Sequence, residues 1–272
     1  MSFDPTSLTS LVAQRALSAA NDRLNTAIER LASGKRLNSA AEDSASLAIA
    51  DKLQRDGRVA ARATQNATDG ISAVHVADHV LGQESEILGR LSELASQAAN
   101  GTLTDGQRSA IQTEFGSLVS QLDQKAATTT FNGVSLLSAG ATVTLEVGTS
   151  VGPDARISFT TVDGSASGLG LSNIAVSTQA AAQAAIGAIG SAVAAVSQDR
   201  GNLGAVESKL RKALSDLRAS GAQFAAAESR IRDTDVAQET AERIRSAIHQ
   251  RTTAALLGQA NQNALSVLRL LR

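Results

Sequence analysis

The chain has 272 residues, a formal net charge of −1 and no cysteine, and aromatic residues make up only 2% of it although 43% is hydrophobic. This charge provides no electrostatic footprint for nucleic acid or anionic membrane, and the lack of cysteine excludes disulfides and thiolate metal sites. Because compact cores normally use several large aromatic side chains, the composition favours long alanine-rich helices packed side by side.

The sequence shows no recognisable targeting segment. Residues 1–20 lack a basic start followed by an unbroken apolar run, so we expect no cleaved secretory signal. We also expect no apolar stretch of the roughly 18–20 residues that a transmembrane helix needs. The protein is therefore predicted to be cytoplasmic or to be exported by a route that reads no such peptide.

The first predicted helix begins at Asp4-Pro5, an N-cap residue followed by proline at the first helical position. Apolar residues in this helix and in the last helix follow heptad spacing, which is typical of a coiled-coil seam. The seam residues are Leu17, Leu24, Ile28 and Leu31 near one end and Leu257, Ala264, Leu268 and Leu271 near the other. Asn21 and Asn261 interrupt the two runs, either as core residues that fix the register or as residues at the exposed edge.

The first helix is predicted to end at Ser33-Gly34, because glycine suits the left-handed position after a helix end. Basic residues follow, and they suit the negative end of the helix dipole. Ser39 with Glu42 three residues later matches a capping box, which predicts that a second helix begins near Ser39. Five polar residues are expected to hold this interdomain joint, namely Lys35, Arg36, Asn38, Glu42 and Asp43.

The middle of the chain is predicted to be helical on both sides of a short β element. One long helix or two nearly collinear ones span 40–100, and a capping box at Thr104 and Gln107 starts another that runs to about Thr128. Asn132-Gly133 is a turn signal, and apolar residues then alternate as in half-buried strands of a hairpin, at Val143, Leu145, Val147, Ile157 and Phe159.

Helical periodicity returns from Thr178 to Arg232, and Asp233 or Asp235 is expected to cap a last helix. The predicted fold is thus mainly α, a long-helix bundle and a terminal coiled coil with a small β-hairpin element at the tip. Residues 1–38 and 234–272 form the predicted terminal coiled-coil domain. Residues 39–233 form the bundle domain, in which 130–177 hold the hairpin and loops.

No catalytic constellation is present in the sequence. His75 and His79 share a helix face, but Val76 stands where a zinc protease has glutamate, so a solvated face is the favoured interpretation. The acidic groups Glu42-Asp43, Glu84-Glu86 and Asp233-Asp235 are interpreted as helix caps and surface charge. We therefore expect a protein that is not an enzyme and that needs no cofactor and no metal.

The sequence resembles bacterial flagellin closely. The N-terminal half carries RLASGKRLNSAAEDSASLAIADKL, ATQNATDGIS and GRLSELASQAANGT, and the C-terminal part carries RGNLGAVESKL, AAAESRIRDTDVAQET and LLGQANQNALSVLRLL. These segments cover nearly all of residues 1–135 and 185–272 in the right order. About 50 residues separate the two blocks, so the large variable outer domains common in the family have no room.

The resemblance implies a structural subunit that polymerises helically into the extracellular flagellar filament, with a coiled-coil inner tube and an outer bundle. Implied partners are other copies, the flagellar export apparatus and its chaperone, the filament cap and the hook-junction proteins. An innate immune receptor that detects many flagellins reads a patch that here corresponds to Arg90, Leu94 and Glu114, and Ser92 replaces a common basic residue. No nucleic-acid binding and no membrane insertion are implied.

Two rival interpretations stay open from the sequence. Hook–filament junction proteins share the terminal design, although the intact GQANQNALSVLRLL near the C-terminus favours a filament subunit. A coiled-coil signalling or adaptor protein would explain the heptads, but it would explain neither the hairpin nor the paired termini.

Overall fold

The computed structural model of the protein describes residues 5–138, 140–150 and 152–270. These residues are mainly helical, as the sequence predicts. The helices are α1 (Pro5–Ser33), α2 (Ser44–Ala98), α3 (Asp105–Thr128), α4 (Gln179–Arg232) and α5 (Val236–Leu270). The segment predicted as one or two helices is one continuous α2, and α3 begins with the predicted capping box.

The described chain divides into two compact units. Unit 1 comprises Met1–Asp56 and Ala222–Arg272, and unit 2 comprises Gly57–Gly221. These divisions differ from the predicted domain boundaries at 38/39 and 233/234, which fall at the breaks between helices. The predicted division into a terminal coiled-coil domain and a bundle domain stays a prediction.

Unit 2 has one continuous hydrophobic core built from helical stripes. In α2 the buried residues recur at spacings of three and four, and in the second half of α4 they recur at intervals of seven, as expected for helices that pack along their length. The stripes include Leu81, Leu88, Leu91 and Leu94 of α2, Ile111, Phe115 and Leu122 of α3, and Val196, Leu203, Leu210 and Leu217 of α4.

Two short antiparallel ribbons lie between α3 and α4 in the sequence. Strands β1 (Thr130–Phe131) and β2 (Val134–Ser135) are joined by Asn132-Gly133, whose positive φ angles of 48° and 81° are those of a tight hairpin turn. Strands β3 (Thr142–Glu146) and β4 (Arg156–Thr160) form the second ribbon. The predicted alternation and turn are confirmed, but the β element consists of two ribbons rather than one hairpin.

Helix α4 contains an 18-residue window with a mean hydropathy of 1.5, long and apolar enough to cross a membrane by length and composition. The expectation that no such stretch exists is therefore wrong. One face of this helix lies in the core of unit 2, through Ala182, Ala185, Ile189, Ala192 and Val196. Only 28% of the window is buried, so packing in the core accounts for one face of the helix and not for its whole apolar composition.

We predict that Gly148→Ala destabilises unit 2, because the β3–β4 ribbon brings Gly148 against Ala155. The Val147 N–H donates to the Ala155 carbonyl at 2.8 Å, and a Cβ on Gly148 would lie only 2.5 Å from the Ala155 Cα. We expect a loss of about 1–3 kcal/mol in the free energy of unfolding of the monomer, measured in urea.

Gly89→Ala is the matched control. Gly89 lies within α2, and a Cβ there would meet no heavy atom of the described chain within 4 Å. Alanine should therefore stabilise the helix by about 0.5–1 kcal/mol. An unchanged or higher urea midpoint for Gly148→Ala would contradict the close approach.

Candidate assembly site

Backbone hydrogen bonds connect the segment between α1 and α2, called the joint, to the break between α4 and α5. The Gly34 carbonyl accepts a hydrogen bond from the Thr234 N–H at 3.1 Å, and the Arg36 N–H donates to the Arg232 carbonyl at 2.6 Å. Gly34 has a φ of +69°, a left-handed conformation that costs glycine nothing because it has no Cβ. The two helix breaks, about 200 residues apart in the chain, therefore form one structure.

The polar residues of the joint bond both to the end of α4 and to the end of α1, where the Lys35 N–H donates to the Ser33 hydroxyl oxygen at 3.2 Å. The Arg36 guanidinium donates to the Ile231 carbonyl at 2.8 Å, so it satisfies a free carbonyl at the end of α4. Lys35 forms an isolated antiparallel bridge with Asp233, and the Asn38 amide donates to the Lys35 carbonyl at 3.3 Å. Arg36 thus bonds to the end of α4, and the interpretation that Lys35 and Arg36 complement the α1 dipole stays a prediction.

Glu42 links the joint to α1. Its carboxylate accepts hydrogen bonds from the Arg30 guanidinium at 2.7 Å and from the Asn38 N–H at 3.4 Å. The bond from Arg30 is the largest cause that lowers the pKa of Glu42, and partial burial opposes it. The same guanidinium lies 4.0 Å from Glu239 of α5. Arg30 thus brings carboxylates from the joint and from α5 to one side of α1.

The predicted capping box at Ser39 is wrong. Helix α2 begins at Ser44, and the Asp43 carboxylate accepts hydrogen bonds from the N–H groups of Ala45 at 3.1 Å and Ser46 at 3.0 Å. These contacts, first of all those with Ser46, lower the pKa of Asp43. A backbone hydrogen bond from Ser39 also helps to lower the pKa of Glu42, but this carboxylate bonds first of all to Arg30, and no helix begins at Ser39. Asp235 caps α5 in the same way, through the N–H groups of the second and third residues that follow it.

Helices α1 and α5 pack against each other through smaller residues than the heptads predict. Of the predicted seam residues, Leu17, Leu24, Leu31 and Leu257 are half-buried, whereas Ile28 is 48% exposed. The buried positions are Ala20, Ala27 and Ser246. Sequence reasoning missed these three because alanine and serine are too abundant in this chain to mark a face. The side chains of Ala264 and Leu268 and the whole of Leu271 lie outside the described residues.

The two asparagines of the predicted seam have different environments. Asn21 is half-buried, and its side-chain oxygen accepts a hydrogen bond from the Gln250 amide at 2.8 Å. Asn261 is exposed and accepts one from the Ser10 hydroxyl at 3.3 Å. Asn21 therefore contributes a polar contact between α1 and α5, and Asn261 lies at the edge of the pair.

An open groove of about 370 Å³, which we call the apolar groove, lies on one side of the α1–α5 pair. Its floor and walls are aliphatic, and two arginines lie among its lining residues. The lining residues are Leu24, Ile28, Arg243, Ile244, Ala247, Ile248 and Arg251. Because Ile28, Ile244 and Ile248 are each about half exposed or more, unit 1 does not cover this surface by itself.

The residues of the candidate immune-receptor patch differ in their exposure. The Arg90 guanidinium of α2 donates to the Glu114 carboxylate of α3 at 2.7 and 3.1 Å, and also to Glu93 at 2.9 Å. The bond to Glu114 is the largest cause that raises the pKa of Arg90. Leu94 is only 1% exposed and packs in the core. The surface of this patch is therefore the Arg90–Glu114 ion pair, with Leu94 beneath it.

The histidines that raised the question of a metal site have separate partners. His75 Nε2 lies 2.8 Å from a carboxylate oxygen of Glu207 on α4, and this bond lowers the pKa of Glu207. His79 Nε2 lies 3.1 Å from the Gln83 side-chain nitrogen. Among the described residues, no three acidic or histidine side chains are grouped so that they could hold a metal ion.

We predict that Asp43→Ala lowers the melting temperature of the polymerised protein, because α2 then loses the cap on two N–H groups. Ser39→Ala is the matched control, since Ser39 contributes backbone atoms: its carbonyl accepts a hydrogen bond from the Glu42 N–H. Circular dichroism during heating measures both variants. A larger effect for Ser39→Ala than for Asp43→Ala would restore the capping box.

Sequence comparison assigns both ends of the chain. Residues 6–142 match the family model of the bacterial flagellin N-terminal helical region, and residues 186–271 match that of the C-terminal helical region. The joint, the capped starts of α2 and α5 and all of the apolar groove lie within the matched segments.

Relatives match over almost their whole length. A flagellin of Halalkalibacterium halodurans is 38% identical over 90% of this chain and 91% of its own. The flagellar filament 30.7 kDa core protein of Treponema maltophilum is 31% identical over 97% of this chain and 98% of its own. Flagellin of Bacillus subtilis is 35% identical over 94% of this chain and 95% of its own.

Solved structures share the fold. Bacillus cereus flagellin aligns with a TM-score of 0.51 at 24% identity, over 56% of this chain and 88% of that chain. A protein assigned as a flagellar hook-associated protein from Vibrio parahaemolyticus aligns with a TM-score of 0.59 at 16% identity, over 70% of this chain and 99% of that chain. The fold alone is thus common to both kinds of protein, and the family models and the relatives make the assignment. The chain belongs to the bacterial flagellin family.

Proposed function

We propose that this flagellin polymerises into the flagellar filament through the exposed apolar surface of α1 and α5. As a flagellin it is a structural protein of the filament and not an enzyme. The observation that carries the proposal is the apolar groove. Its isoleucines are exposed to solvent because α1 and α5 alone do not bury them. Other large apolar side chains on the same helices are also exposed, namely Leu8, Leu11, Val12, Val236 and Leu256.

The energetics favour a second copy as the occupant of this surface. Each leucine or isoleucine moved from water into a packed seam contributes roughly 1.5–3 kcal/mol. Ordering the backbone of each residue costs about 1–2 kcal/mol, so a lone helix pair recovers little of that cost. Identical copies carry the same exposed faces, and a contact between different faces of successive copies does not close on itself. Such a contact produces an open helical fibre.

In this proposal the domains have distinct places in the filament. Residues 1–38 and 234–272 form the coiled-coil inner tube, and residues 39–233 form the surrounding bundle, with 130–177 at its tip. The hydrogen bonds between the joint and the C-terminal break support this division. They hold both chain ends together at the point where the helices are interrupted.

The finer partners belong to the same proposal. The flagellar export apparatus and an export chaperone act before assembly, so the polymer is secreted and extracellular. The filament cap and the hook-junction proteins contact its two ends. The Arg90–Glu114 ion pair is proposed as the surface that an innate immune receptor meets, and charge reversal of Glu114 should then weaken receptor activation while leaving polymerisation intact.

A junction protein between hook and filament is the rival function, favoured by the fold shared with the hook-associated protein. Electron microscopy of the purified chain separates the two. A filament subunit forms long uniform helical fibres under polymerising conditions, whereas a junction protein forms none of comparable length.

We predict that Ile248→Asp raises the critical concentration for polymerisation tenfold or more, since it places a charge in the apolar groove. Ile248 is 60% exposed, so the subunit itself should fold normally. Sedimentation of polymer at a series of protein concentrations measures the effect. Ile248→Val, which keeps the groove apolar, should polymerise nearly as the wild type does. Equal critical concentrations for the aspartate and valine variants would refute the role given to the groove. The heptad spacing of the C-terminal residues separately predicts that Leu268→Asp blocks polymerisation.

A further prediction is that α1 and α5 gain their full order only in the polymer. Trypsin should cut dilute monomer first at Arg15, Arg23, Arg243 and Arg251, and the same sites should resist in filaments. Mass spectrometry of the fragments gives the order of cleavage. Terminal helices in the monomer that resist as long as unit 2 would count against folding coupled to assembly.

A further inference from the structure

One carboxylate in unit 2 is buried without a hydrogen-bond partner among the described residues. Glu84 of α2 is 0% exposed, and neither of its carboxylate oxygens accepts a hydrogen bond from any described residue. It lies on the core face, three residues after Leu81 and four before Leu88. The interpretation of Glu84 as surface charge is therefore wrong. Burying an ionised carboxylate without a partner is unfavourable in free energy. Such a group therefore binds a proton, or the structure around it opens to solvent.

The carboxylate packs against the chain that follows β4. A Cβ on Gly164 would lie 2.8 Å from both Glu84 oxygens, so only glycine lets the backbone approach this closely. The Gly164 N–H donates to the Leu137 carbonyl at 3.2 Å, which holds this position from the other side. Glu84 thus touches the first part of an irregular segment, residues 163–171, that we call the cover loop.

The cover loop is fastened mainly by its own hydrogen bonds and by apolar side chains. The Ala166 N–H donates to the Asp123 carboxylate of α3 at 2.8 Å, and the Leu171 N–H donates to the Ala166 carbonyl at 2.6 Å. Ala166, Leu169 and Leu171 are buried in the core of unit 2. A charge beneath Gly164 would therefore act on a segment with few other attachments to α2.

The charged groups around Glu84 come from every element packed near it. On α3, the Lys125 ammonium is engaged by the Gln83 side chain at 2.7 Å rather than by Glu84. On the cover loop, the Asp163 carboxylate accepts hydrogen bonds from the Ser165 hydroxyl and N–H. On α4, Arg200 is paired with Asp78, and Asp199 lines a cavity of about 370 Å³ together with Asp163. None of these described contacts neutralises the Glu84 charge.

We propose that Glu84 is a proton-operated latch, a buried carboxyl that lets the cover loop close over α2 while it is neutral and loosens that loop when it ionises. Burial raises the pKa of Glu84 to about 7, Lys125 opposes that rise and Asp163 adds to it. The latch therefore operates close to neutral pH. Closure of the cover loop is coupled to the uptake of this proton.

The direction of the pH dependence follows from the two states. The folded chain holds the proton up to about pH 7, whereas the unfolded chain releases it near pH 4.5. The contribution of Glu84 is greatest below pH 4.5, falls as the pH rises to 7, and is constant above it. Glu42 and Glu207, whose pKa values are lowered first of all by hydrogen bonds from Arg30 and His75, act in the opposite sense, because their stabilisation is lost as the pH falls.

Hydrogen exchange of the full-length monomer, followed by mass spectrometry, tests the latch at pH 5 and pH 8. After correction for intrinsic exchange rates, protection of peptides from the cover loop should fall about a hundredfold between these pH values in the wild type. Glu84→Gln removes the charge and should keep the loop protected at pH 8. A Glu84 carboxyl resonance that titrates near 7 in the unmodified protein, observed by carbon NMR, provides the same test without a variant.

Two controls separate Glu84 from its neighbours. Glu86→Gln changes an exposed glutamate two residues away and should leave the pH dependence intact. Asp199→Asn removes the other carboxyl whose pKa burial raises, and it should also leave the loop response intact. The proposal is overturned if Glu84→Gln keeps the wild-type pH dependence, if Glu84 titrates near 4.5, or if protection falls throughout unit 2 without preference for the cover loop.

Discussion

The structure depends on hydrogen bonds that join two helix breaks near opposite ends of the chain. Gly34 and Arg36 exchange backbone hydrogen bonds with Thr234 and Arg232, so α1 cannot leave the joint independently of α5. Both terminal helices then start from one fixed point and lie side by side. This constraint places their exposed isoleucines on a common surface, the face that we propose another copy covers.

The sequence predicts most of the helices and strands because the caps and turns that bound them are local signals. Thr104 with Gln107, Asn132-Gly133 and the aspartate before α5 each act within four residues, and the structure confirms them. The heptads likewise predict that α1 and α5 pair. These signals require no knowledge of distant parts of the chain, which is why they can be recognised in the sequence.

Predictions that depend on distant partners were less successful. Ser39 and Glu42 match a capping box, but Arg30 engages Glu42, and Asp43 then becomes the cap. Arg36 lies just after α1, yet it bonds to the end of α4, a partner nearly two hundred residues away. The closest packing between α1 and α5 occurs at alanines and a serine, which carry no hydrophobic signal. In each case the partner of the residue lies on another element of the fold. The local sequence pattern contains no information about that partner.

Glu84 shows a different limit, because its burial could have been predicted. It occupies a core position in the spacing from Leu81 to Leu88, and only its charge suggested the surface. A bundle that is stable by itself can tolerate a buried glutamate. The other core residues of unit 2 offset the loss of stability that the buried carboxylate causes. Unit 1 has no comparable core among its described residues, and in our proposal contacts between copies supply its order. In the two proposals the units respond to different conditions: proton concentration acts on the cover loop of unit 2, whereas subunit concentration acts on the order of unit 1.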